Sequence, residues 1–149
     1  MVLTYLDSSA LLRLCLGQGD VTLAERALQM SPVTSVLAAV ELPVAIHATM
    51  HRGSIDLDVR DRLLELANQI LAPAALIGLT GAIRSEATAV ARAFLIRSLD
   101  AIHVGTAVVV DRQQRRASNE LRFCTADVRQ GQLAASLLGD ARVDILAPI

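Results

Sequence analysis

The stretch LTYLDSSALL (residues 3–12) decides the fold. An apolar run with the character of a buried strand stops on one acid, Asp7. Two serines follow, and apolar residues then resume at helical spacing, as at a strand-to-helix junction. A carboxylate at the end of a core strand loses hydration, which is costly unless something pairs with it. Asp7 therefore either caps the following helix or belongs to a site, and the rest of the chain bears on the choice.

The same pattern repeats along the sequence. Five short apolar runs read as strands: Val2–Leu6, Val33–Ser35, Ala75–Gly78, Arg122–Thr125 and Val143–Leu146. Helical patterns separate them over Ser8–Leu16, Val21–Met30, Val36–Arg52 and Val59–Leu71. Three more follow: one opened by Thr80 as N-cap, one capped by Ser98 and reaching Val110, and Ala126–Leu138. Strands alternating with helices predict an α/β fold, a three-layer α/β/α sandwich on a mostly parallel sheet. The polar stretch DRQQRRASNE (residues 111–120) is expected as a helix end plus a solvated loop. No repeat or linker divides residues 1–149, so a single domain is expected.

Composition narrows the class. Hydrophobic residues make up 53% and aromatic residues 2%, so the core must be built from Leu, Val, Ile and Ala. The mean hydropathy of +0.47 predicts apolar surface covered by a partner or a second copy. The longest apolar runs are too short to span a bilayer and carry Glu41 and His103, so no membrane span is expected. Asp7 interrupts the N-terminal apolar run and no basic segment precedes it, which argues against a signal peptide. Cys15 and Cys124 have neither metal-ligand nor redox spacing and are expected as core residues of a cytoplasmic protein. A net charge of −1 excludes a general polyanion binder, and all 14 basic residues are arginine.

In open parallel sheets, ligands bind beyond the carboxyl ends of the strands. Four acids fall there: Asp7 after the first strand, Glu41 in SVLAAVEL, Asp100 in RSLDAIH and Asp127 in FCTAD. Singly, each could serve the dipole of a helix start. Together they repel unless a cation joins them, since two carboxylates about 4 Å apart cost roughly 4 kcal/mol at an effective dielectric near 20. Oxygen donors without paired His or Cys favour Mg²⁺ or Mn²⁺ over zinc. Such an ion suits phosphodiester hydrolysis.

At this level the chain resembles the PIN-domain ribonucleases, in particular the VapC-type toxins of toxin–antitoxin pairs. YLDSSALLRL, TSVLAAVEL, IRSLDAIHVGTA, FCTAD and VDILAP carry the resemblance, in that order and nearly end to end. It implies that Asp7, Glu41, Asp100 and Asp127 form a metal-binding catalytic pocket for Mg²⁺ or Mn²⁺. It also implies a flavodoxin-like sandwich, endonuclease action on RNA, a homodimer, and an antitoxin whose C-terminal segment covers the groove. Pro43 departs from the pattern. It sits two residues after Glu41, so the helix either starts near Val40–Leu42 or kinks, which bears on where Glu41 points.

Other residues fall near this edge. Ser8 and Ser9 are placed to orient Asp7 or to cap, and Thr125 to steady the acidic pocket. His103 lies one turn after Asp100 and shares its helix face. Arg97 is placed to hold an RNA phosphate or an antitoxin carboxylate. Arg13, Arg112, Arg115 and Arg116 are weaker candidates for backbone contacts. His47 and His51 lack the glutamate of a zinc-protease motif, since Ala48 follows His47. Two rival classes remain: a catalytically degenerate PIN-like binding protein, and a phosphate-signalling domain. The latter is disfavoured, because LIGLTG after the third strand has no acid and Ser9 stands where such phosphatases place one.

Overall fold

The computed structural model describes residues 1–149. In chain order the elements are β1 (Val2–Leu6), α1 (Ser8–Leu16), α2 (Thr22–Leu28), β2 (Pro32–Ser35), α3 (Ala38–His51) and α4 (Leu57–Leu71). They continue as β3 (Ala75–Ile77), α5 (Gly81–Ala93), α6 (Ser98–Arg116), β4 (Glu120–Thr125), α7 (Val128–Leu138) and β5 (Val143–Ile145). All five strands pair in parallel, in the order β3-β2-β1-β4-β5.

The alternation of the strands explains the layers. Leu3 and Tyr5 of β1 and Leu121 and Phe123 of β4 pack with α5, α6 and α7 in one core. Leu6 and Cys124, one residue out of phase, pack with α1 to α4 in the other. The result is the expected three-layer α/β/α sandwich. Its strand order is 3-2-1-4-5, whereas flavodoxin itself has 2-1-3-4-5. The order reverses between β1 and β4, so the crevice at their carboxyl ends is the switch point where such sheets bind ligands. The residues that follow these two strands are Asp7 and the segment Ala126–Asp127.

Local chemistry sets the helix boundaries. Asp7, Asp56, Thr80 and Asp127 each cap a helix by accepting from a backbone N–H three residues on. Gly17 ends α1 in the left-handed region, at φ 60°. Gly105 lets α6 press against α5, because a Cβ there would lie 2.8 Å from the Ala87 nitrogen.

Three boundary expectations are corrected. Ser98 is the first residue of α6 rather than its cap; Arg97 holds the cap position without a side-chain bond. The helix then runs past Val110 to Arg116, so DRQQRRASNE is mostly helix and forms no long loop. Long-range pairs hold that polar end. Asp111 is buried and bonded to Arg115 and Arg142, and Arg112 pairs with Glu86 of α5. α3 begins at Ala38, between the alternatives Val36 and Val40, and keeps Pro43 inside. The preceding turn is tight, with Val40 N–H donating to the Leu37 carbonyl three residues back.

Cys15 and Cys124 are free and buried, and burial pushes their thiols up to about 11 and about 12. No helix is long and apolar enough to cross a membrane. Val40, Val44, Leu57, Leu79 and Leu95 are large apolar side chains left exposed.

Candidate active site

Asp7 is both a cap and part of a polar cluster. One carboxylate oxygen, Oδ1, accepts from the Ala10 backbone N–H at 2.9 Å and from Ser9 Oγ at 2.7 Å. The other accepts from the Thr125 hydroxyl, carried by the neighbouring strand. Asp7 is only 1% exposed. Burial pushes its carboxyl above the usual carboxylate range, against the opposing pull of Thr125, Ala10 and Ser9. Thr125 Oγ1 also accepts from the Asp127 backbone N–H at 3.0 Å. One hydroxyl thus ties the junction after β1 to the junction after β4.

Glu41 reaches the same edge from α3 despite Pro43. Its Oε1 accepts from Ser8 Oγ at 2.9 Å and lies 2.7 Å from His103 Nε2. Burial acts to raise its pKa, but the hydrogen bond and charge of His103, with Ser8 and Arg97, outweigh it and leave the carboxyl below its ordinary value. Consecutive serines therefore serve different acids, Ser8 holding Glu41 and Ser9 holding Asp7. The other ring nitrogen of His103 meets the Tyr5 hydroxyl at 2.7 Å. His103 and Tyr5 are both buried, and Tyr5 stacks on Phe123 with ring centres 5.4 Å apart. Burial, then the charge of Asp7, pushes the Tyr5 hydroxyl well above its ordinary range.

Asp100 and Asp127 share one cation. Arg97 Nε donates to Asp100 Oδ2 at 2.8 Å, and Nη2 of the same guanidinium reaches Asp127 Oδ2 at 3.5 Å. Both acids line a cavity of about 570 Å³. The Arg97 side chain is 79% exposed. Hydrogen bonding to Asp100 and its charge raise the guanidinium's pKa further.

The four acids thus lie at one edge of the sheet in three engagements: Asp7 on Thr125 and Ser9, Glu41 on His103 and Ser8, Asp100 and Asp127 on Arg97. No three His, Cys, Asp or Glu side chains converge as a ligand set. The donor chemistry nevertheless suits a hard divalent cation, since every acid offers oxygen alone. The place between Asp100 and Asp127, beside Asp7 through Thr125, already attracts a positive group.

Ser9, Thr125, Arg97 and His103 all contact one of the four acids. Two residues escaped the sequence reading, and Ser8 was given the wrong acid. Tyr5 is the only tyrosine in the chain, on a strand face directed to the core, which was its only signal. Ser8 pairs with Glu41 rather than Asp7. Gln130 had no signal at all, although it is buried beside Asp127. Arg13 bonds the Ala147 carbonyl, and Arg112 and Arg115 are engaged within the α5–α6 flank. Comparison with protein-family models and with curated proteins gives no match for this chain.

Proposed function

We propose that the protein is a metal-dependent endoribonuclease of the PIN type, the toxin of a toxin–antitoxin pair. The supporting observation is that Asp7, Glu41 and Asp127, which follow β1, β2 and β4, and Asp100, in the first turn of α6 after α5, lie at the carboxyl edge of one parallel sheet, around its switch point. Four carboxylates on one edge, with a single arginine between two of them, make a place for cationic and phosphate chemistry.

The division of labour follows from the contacts. Asp100 and Asp127 would hold Mg²⁺ or Mn²⁺, with Asp7 beside them. A divalent ion held there supplies Lewis-acid polarisation of a phosphate and acidifies water. Asp7, fixed by three donors, presents its carboxylate in one orientation. Glu41 stays ionised at neutral pH and, held by His103 and Ser8, is a fixed acceptor for a proton at the edge. Arg97 is free to swing from the acids to a phosphate oxygen. An RNA substrate, a cognate antitoxin and a homodimeric, cytoplasmic protein belong to the same proposal.

The deciding experiment is cleavage of single-stranded RNA by the purified protein with Mn²⁺, compared with Asp7→Asn and Asp100→Ala. Loss of cleavage in both folded variants supports the reading, and unchanged cleavage in both defeats it. One observation favours a second reading, a PIN-like protein that acts only by complex formation: no three of the acids converge. Under that reading Mn²⁺ leaves the melting temperature unchanged. Under the first, Mn²⁺ at about 100 times its Kd adds about 2.7 kcal/mol.

A further inference from the structure

Beyond the acids, the cavity shared by Asp100 and Asp127 has a second wall. Phe94, Leu95 and Ile96 in the α5–α6 connection form one side, and Arg129, Gln130 and Leu133 of α7 form the other. Arg129 Nη2 donates to the Leu95 carbonyl at 3.3 Å, which joins the two sides. Leu95 is 94% exposed and Phe94 is exposed as well.

Gln130 is out of place in such a wall. It is 3% exposed, and its Nε2 is buried with no hydrogen-bond partner. A buried amide donor left unpaired costs about 1–3 kcal/mol, so native proteins rarely keep one without a use. The groove therefore combines a partly exposed phenyl ring, aliphatic side chains and a guanidinium with the buried, unpaired carboxamide of Gln130 in its wall, next to two carboxylates. A base in a single strand calls for that set: a face to stack on and an edge to hydrogen-bond, with a cation for its phosphate.

We propose that this groove is a nucleobase subsite, in which Gln130 reads the edge of a nucleotide flanking the scissile phosphate and Phe94 supports its face. The proposal rests on the ribonuclease reading and adds to it a source of sequence preference. It assigns Gln130 a role in choosing where RNA is cut, separate from the acids that would cut it.

The test uses the full chain. A pool of short single-stranded RNAs of randomised sequence is cut with Mn²⁺ and the ends are sequenced. In parallel, 4-thiouridine-substituted RNA is photocrosslinked to the protein in EDTA and the crosslinks are mapped. The wild type is expected to prefer one base at a position flanking the cut and to crosslink within residues 94–96 or 129–133. Gln130→Leu, apolar and one heavy atom smaller, is expected to lower that preference about tenfold, the worth of one hydrogen bond. Its Mn²⁺-induced rise in melting temperature should persist. Phe94→Ala, at an exposed position, gives a second variant should Gln130→Leu fold poorly, and is expected to weaken binding of uncut RNA.

A cut pattern with no base preference, a preference unaltered in the folded variants, or crosslinks confined elsewhere overturns the subsite while cleavage itself stands. Absence of RNA cleavage by the wild type defeats the ribonuclease reading, and the subsite with it.

Discussion

His103 Nε2 stands 2.7 Å from Glu41 Oε1, a contact that crosses from α6 to α3 at the carboxyl edge of the sheet. A carboxylate only accepts, so Nε2 carries the hydrogen and donates it. The Tyr5 hydroxyl, able to donate or accept, satisfies Nδ1 from beneath. Tyr5→Phe should leave a buried ring nitrogen unpartnered and lower stability by about 1–3 kcal/mol, measurable by urea unfolding. His103→Ala should reduce kcat for RNA cleavage by about 10–100-fold with a smaller change in KM, and His103→Gln should recover part of it by restoring a donor.

Asp7 and Glu41 should respond to pH in opposite directions. The Asp7 carboxyl is raised in the native state, so the folded protein holds that proton to higher pH than the unfolded chain does. Its stabilising contribution is complete below the ordinary value of 3.8 and is lost as pH rises through the raised native value. Asp7→Asn should therefore melt above the wild type at neutral pH without divalent ions, and the gap should close in acid. Mn²⁺ should raise the wild-type melting temperature and leave Asp7→Asn nearly unmoved. Glu41, lowered in the native state, stabilises above its ordinary value of 4.5 and loses that contribution as pH falls through the native one. Calorimetry of the wild type, Asp7→Asn and Glu41→Gln across acid and neutral pH checks both signs.

Arg97 and a divalent cation should compete for Asp100 and Asp127. The arginine is mostly exposed, and pairs of that kind are worth about 0–1 kcal/mol. Arg97→Ala should thus scarcely alter the melting temperature, while Mn²⁺ affinity measured by titration calorimetry rises by up to about fivefold. Weaker Mn²⁺ binding in this variant would mean that Arg97 supports the site rather than occupying it.

Asp111→Ala should be among the most damaging substitutions outside the site. Asp111 is buried, and both of its oxygens bond Arg142, which in turn bonds the Leu138 and Leu121 carbonyls. Removing one partner of a buried pair costs about 3–5 kcal/mol because the other charge is left uncompensated. At about 2–4 °C per kcal/mol for a chain of this size, the melting temperature should fall by about 6–20 °C.

The strands were legible because each is a short β-rich run bounded by a turn former or a capping acid. β1 and α1 lie where the LTYLDSSALL junction puts them, since Asp7 both ends the strand and caps the helix. The end of α6 was not legible. Its charged tail has weak helical patterning of its own and is held by Glu86 and Arg142, far away in sequence. The four acids could be placed at one edge from topology alone. Ser9, Thr125, Arg97 and His103 could be placed beside them, but Tyr5, Gln130 and the pairing of Ser8 with Glu41 could not, because these acquire meaning only when β1, α3, α6 and α7 are side by side. Arg97 was expected to face a phosphate or another protein's carboxylate, and it rests on the chain's own acids.

The hydrogen bond between Thr125 and Asp7 joins residues 118 positions apart. During synthesis at about 5–20 residues per second, Asp7 is made roughly 6–24 s before its partner. Throughout that interval β4, which separates β1 from β5, is missing, and with it Asp127 and the cavity wall on α7. A nascent chain on the ribosome therefore carries the first half of the edge with no means of assembling the second. An edge that needs Asp127 and the Thr125–Asp7 bond therefore stays incomplete until β4 and α7 have been translated.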